Sequence, residues 1–135
     1  MNMLGKPNGF SLIELLIAMA VFAIISTIAF PAYQEQVRRA SRTDAKVALT
    51  DTAQRLERCL TQERAYNAAG CVTFPVTSAD GQYSITSSNF TATTFTLTAT
   101  PVSGSAQVGD ADCTALVLTH TGSQTATGAN TARCW

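Results

Sequence analysis

The pattern of apolar and polar positions changes twice along the chain. After a short polar start, Met1 to Gly9, comes Phe10-Ser11-Leu12-Ile13-Glu14 and then an uncharged run from Leu15 to Gln34. A run of that length can cross a bilayer as a helix, which takes about 20 apolar residues. Lys6 precedes it and Arg38, Arg39 and Arg42 follow, so basic residues bracket the span. From Gln34 to about Gln62 the pattern becomes amphipathic. Val37, Ser41, Ala45, Ala48, Thr52, Leu56, Cys59 and Leu60 recur at three- and four-residue steps. Arg38, Arg39, Arg42, Lys46, Asp51, Arg55, Glu57 and Arg58 occupy the other faces. That period predicts a helix with one face on a core. A single helix from about Phe10 to Gln62 follows, about 80 Å long at the α-helical rise. Pro31 should kink it or mark a soft point, because proline removes a backbone donor and clashes with the preceding turn.

Beyond the helix the period shortens. Arg64 to Asp80 reads as a loop, closed by the turn signal Asp80-Gly81. Tyr83 to Thr86 is a short strand, and Thr93 to Thr100 a clearer one. In the second, Phe95, Leu97 and Ala99 alternate with threonines, as in a half-buried strand. Pro101 ends it, and Val102 to Asp112 is a Gly/Ser turn region. Cys113 to Thr119 forms the next strand, and Ser123 to Thr127 a weak fourth. Short connections imply antiparallel pairing. The expected fold class is α+β: a long N-terminal helix packed on a C-terminal antiparallel sheet of three or four strands.

Composition sharpens this picture. Without the apolar segment, a head of 135-residue parentage is small and marginal on burial alone, so covalent staples are expected. Four cysteines, Cys59, Cys71, Cys113 and Cys134, allow three pairings. A head beyond a membrane span lies in an oxidising compartment. The two local pairs, Cys59 with Cys71 and Cys113 with Cys134, are favoured, and the spacing lacks the Cys-x-x-Cys knuckle of a zinc site. Nine basic residues balance nine acidic ones, which argues against a general nucleic-acid binder. His120 is the only histidine, and no nucleophile motif or phosphate-binding glycine loop accompanies it. Hydrolytic chemistry therefore has no basis, and no enzyme or cofactor is expected. Asp110 and Asp112 are two carboxylates in a loop, a weak sign of calcium.

Glu14 is the informative residue. A charge deep in a membrane costs about 2.5–3.5 kcal/mol and normally has a partner there. Cleavage after Gly9 would supply one, because the new ammonium of Phe10 lies one helical turn from Glu14. The apolar run has no small-x-small cleavage site after it, unlike an ordinary signal peptide.

Gly9-Phe10-Ser11-Leu12-Ile13-Glu14, followed in register by the apolar run, resembles the N-terminal signal of type IV pilins and their pseudopilin relatives. The resemblance implies cleavage between Gly9 and Phe10 by a prepilin peptidase, N-methylation of Phe10, and a role for Glu14 in assembly beside a neighbouring subunit's N-terminus. Pro31 and Tyr33 fall where that family commonly has proline and tyrosine. A cystine loop at Cys113 and Cys134 resembles the disulfide-bounded region of pilins. The Cys59 and Cys71 pair and the Cys-Trp ending look more like small minor pilins. The implied organisation is a leader at 1–9, a transmembrane and assembly helix half at 10–33, and a head at 34–135.

The implied function is a structural subunit, a minor pilin held in the inner membrane by one span and then stacked without covalent bonds into an extracellular pilus. Its expected partners are other pilin subunits, the prepilin peptidase, the inner-membrane assembly platform and, before assembly, the membrane. Adhesion, twitching motility and DNA uptake are the activities such a filament serves. A type II secretion pseudopilin and a DNA-binding competence pilin are the alternatives, with nucleic acid disfavoured by the neutral charge.

Overall fold

The computed structural model describes residues 9–135. The predicted leader therefore lies outside the described residues except for Gly9. By contacts the chain divides after Gln36 into an N-terminal unit and a head, Val37–Trp135.

One helix, α1, runs from Leu12 to Glu63 and is continuous through Pro31. Its first part is apolar on every side, which suits a solvent of lipid or other protein rather than water. Leu12, Ile17, Phe22, Ile24, Ile28 and Phe30 all stand exposed. The Ser26 and Thr27 hydroxyls bond back into the helix, Ser26 Oγ donating to the Phe22 carbonyl at 2.8 Å and Thr27 Oγ1 to the Ile24 carbonyl at 2.7 Å. Such back-bonding satisfies a hydroxyl where water is absent.

The head carries a five-stranded antiparallel sheet in sequence order: β1 Val76–Thr77, β2 Tyr83–Ser88, β3 Thr96–Pro101, β4 Ala115–Thr119 and β5 Gln124–Thr127. Tyr83, Ile85, Leu97, Ala99, Leu116 and Leu118 are buried together with Ala45, Leu49 and Leu56 of α1. The period-two alternation of the strands thus meets the three- and four-residue steps of the helix across one core. The expected helix-on-sheet fold is what the chain adopts, with β1 added from a segment that read as loop. Two residues give no periodicity to read, and β1 is held by pairing Val76 with Ile85 and Thr77 with Ser84.

The predicted helical stripe needs two changes. Leu49 is fully buried, whereas Val37 is exposed. Arg42, expected on a charged surface cluster with Arg38 and Arg39, is 1% exposed. Positions 42, 45, 49, 52 and 56 form the buried row, and Arg42 is in phase with it.

Candidate functional site

In the N-terminal unit, Glu14 is the one charged residue between Phe10 and Gln34. It lies in the first turn of α1, where a carboxylate also suits the positive end of the helix dipole. Phe10 is 86% exposed, and its four-residue spacing to Glu14 puts both beside one shallow hollow lined also by Leu15, Ala18, Met19, Phe22 and Ala23. The hollow is apolar apart from that carboxylate, so a cation brought there would be recognised by Glu14 alone.

In the head, a buried ion pair ties the Gly/Ser connection between β3 and β4 to α1. Arg42 donates from Nε to Asp110 Oδ2 and from Nη2 to Oδ1, both at 2.7 Å. This fork-to-fork geometry is the strong form of the interaction. The Cys113 N–H also donates to Asp110 Oδ1 at 3.3 Å, and Gln107 Nε2 donates to the Arg38 carbonyl at 2.9 Å. Burial pushes the Asp110 carboxyl up, but the Arg42 hydrogen bonds and charge, with the Cys113 N–H and the Arg38 charge, bring it below its ordinary value. Tyr83 is pushed up to about 12 by burial first and then by the Asp110 charge, partly offset by Arg42. Asp110 is thus engaged with Arg42, and among the described residues no group of three or more metal-ligating side chains stands together. The calcium reading of Asp110 and Asp112 finds no support in this geometry.

The cysteines are joined as Cys59–Cys71 and Cys113–Cys134. The first bridge closes the loop that follows α1. Beside it lies a polar groove of about 320 Å³ between α1 and that loop, lined by Arg55, Arg58, Cys59, Gln62, Glu63, Ala69, Gly70 and Cys71. Arg55 and Arg58 are both exposed. Arg55 forms a surface pair with Asp51 at 2.8 Å, worth little in water. Two guanidiniums and the Glu63 carboxylate thus share this groove with the backbone of a glycine-containing loop. Sequence reading placed these arginines on the helix surface but did not bring them to the loop; that juxtaposition depends on where the chain after Glu63 returns. His120 is exposed at the end of β4, beside Phe95 with ring centroids 6.2 Å apart.

A family model described as "Type IV minor pilin ComP, DNA uptake sequence receptor" matches residues 31–117, more than half of the chain. A second, described as "Prokaryotic N-terminal methylation motif", matches residues 5–30. Among curated proteins, the chain is 46% identical over 41 residues to the prepilin peptidase-dependent protein D of Escherichia coli. It is 49% identical over 42 residues to a fimbrial protein of Moraxella nonliquefaciens. These alignments cover 30% and 31% of this chain and only 28% and 27% of the two relatives.

Proposed function

We propose a function from one premise: the chain belongs to the ComP type IV minor pilin family, whose model spans residues 31–117. It is a structural subunit and not an enzyme. On our reading a prepilin peptidase cuts between Gly9 and Phe10, and the new amine of Phe10 is methylated. The subunit waits in the inner membrane, held by the apolar part of α1, and then joins other pilin subunits in an extracellular filament through the assembly platform. The observation that carries this reading is a lone carboxylate, Glu14, one turn from Phe10 on a helix whose apolar side chains are exposed all round. Transfer from lipid into a bundle of like helices keeps that surface out of water. The pairing of Glu14 with a neighbour's Phe10 amine then sets the register. Pro31, which leaves the Thr27 carbonyl without its usual donor, is the soft point at which α1 can adjust on stacking. The matching N-terminal methylation motif supports the same steps.

The test is the intact mass of the mature protein together with its recovery from sheared pili. Methylated Phe10 as first residue is the expected result, with Glu14→Val still cleaved but depleted at least about tenfold from filaments. A mature protein beginning elsewhere, or normal incorporation of Glu14→Val, overturns the reading.

Within that role we favour DNA uptake over adhesion or motility. The family description names a DNA receptor, and the groove at Arg55 and Arg58 offers phosphate-binding groups despite the neutral overall charge. The same description favours the pilus over a secretion pseudopilin. The full chain in detergent should retard duplex DNA at low salt, and Arg55→Ala with Arg58→Ala should weaken binding and flatten its salt dependence by about two phosphate contacts. DNA binding indifferent to that double change removes the groove from the reading.

A further inference from the structure

The two cystines sit in unlike surroundings. Cys113 and Cys134 are both wholly buried. The backbone around them is tied down: the Asn130 N–H donates to the Asp112 carbonyl at 3.3 Å and the Arg133 N–H to the Asn130 carbonyl at 3.2 Å. Cys59 and Cys71 are only half-buried and form part of the groove wall. The loop they close has anchors on either side of its exposed part. Tyr66 is one: its N–H donates to the Ala92 carbonyl at 3.0 Å, its hydroxyl to Glu57 at 2.8 Å, and its ring packs edge-on against Phe95 at 4.8 Å. Phe74, against Phe90 at 5.5 Å, is the other. Between them Asn67, Ala69 and Gly70 are exposed, Val72 lies against the core, and the sulfur bridge is the covalent tie of residues 67–71 to α1.

We infer that Cys59–Cys71 is a selectively reducible cystine whose opening frees residues 67–71 and dismantles the groove wall while the rest of the head stays folded. The reductant is a small dithiol or a pair of monothiols. One thiolate attacks a cystine sulfur and forms a mixed disulfide, releasing the other cysteine as thiolate. A second thiolate resolves the mixed disulfide. The cystine gains two electrons and two protons, and the reductant leaves as its own disulfide. Reaching Cys113–Cys134 in the same way requires a larger opening of the head, because neither residue meets solvent. The consequence for DNA rests on the groove reading above; the order of reduction does not.

The experiment takes the full chain in detergent through graded dithiothreitol without denaturant, followed by alkylation and peptide mass spectrometry. Hydrogen exchange and DNA binding are read on the same samples. Cys59 and Cys71 should become labelled at least about tenfold faster than Cys113 and Cys134. At that stage exchange should rise at residues 67–71 and stay slow in β3 and β4. A Cys59→Ser, Cys71→Ser double variant should show the same exchange map without reductant. Simultaneous labelling of all four cysteines, or unchanged exchange at 67–71 after selective labelling, overturns the inference. If the oxidised chain binds no DNA, the groove reading falls while labelling and exchange still decide the cystine. If the oxidised chain binds DNA and selective opening leaves its affinity unchanged, the groove wall is not what DNA contacts.

Discussion

The clearest consequence at the level of single residues lies at Arg42 and Asp110. The pair is buried, bidentate and 68 residues apart in sequence, so it staples the β3–β4 connection to α1. Removing one partner leaves the other charge buried alone, which costs about 3–5 kcal/mol. Asp110→Asn should therefore lower the denaturation midpoint of the head strongly. The carboxyl is held below its ordinary value in the folded chain, so its contribution is present above the unfolded value of about 3.9 and fades as pH falls through the folded one. Urea melts of the natural chain should lose stability on acidification below about pH 4, a loss that Asp110→Asn lacks at this site. An Asp110→Asn protein as stable as the natural one at pH 7 contradicts the staple. Sequence alone singled out Glu14, because a charge inside an uncharged run is visible locally. It misplaced Arg42 because the partner that makes burial tolerable is far along the chain. The signal available was phase: Arg42 stands three residues before Ala45, in step with the buried row.

Among the elements, the end of α1 is where local rules and the observed backbone disagree. Arg64 follows the last helical residue with φ of 61°, and its N–H donates to the Leu60 carbonyl at 2.9 Å. That is the left-handed cap position which glycine fills without strain and other residues fill at a cost of about 1–2 kcal/mol. Arg64→Gly should accordingly stabilise the head by about 1 kcal/mol, read as a raised urea midpoint with unchanged slope. A neutral or destabilising outcome means that the arginine side chain contributes at least as much as its backbone strain removes. The elements themselves were legible where periodicity runs long. The helix, expected over Phe10 to Gln62, spans Leu12–Glu63. The alternating threonine strand begins at Thr96 instead of Thr93 because Thr91 and Thr94 form a turn, with a Thr91 N–H to Thr94 carbonyl bond of 3.0 Å. The strand after Cys113 begins at Ala115. Both boundaries slipped where a side chain takes a local backbone N–H: the Thr91 hydroxyl accepts from Thr93 and Thr94, and the Asp110 carboxylate accepts from Cys113, a competition that apolar patterning does not register.

Taken whole, the molecule is a chain written for two solvents, and the change falls near residue 36. Among the described residues, every buried side chain lies at Arg42 or later, and the core cluster draws only on residues from Ala45 onward. Both cystines and the Arg42–Asp110 pair belong to the same unit. The apolar residues before Gln36 are not among that core; the helix they form is long and apolar enough to cross a membrane. The head should then fold without them. A chain lacking residues 1–36 should be soluble and monomeric, contain both bridges, and melt cooperatively. A loss of about 1 kcal/mol is expected from fraying of the new helix end near Arg38, whose carbonyl receives Gln107. It should also be unable to enter filaments, since Glu14 and the stacking surface are gone. Analytical ultracentrifugation, thiol titration and thermal melting measure the first part, and pilus shearing the second. Aggregation or a non-cooperative melt would mean that the head takes stability from the apolar helix. Filament entry by the shortened chain would show that assembly is driven from the head, against the role given to the lone carboxylate.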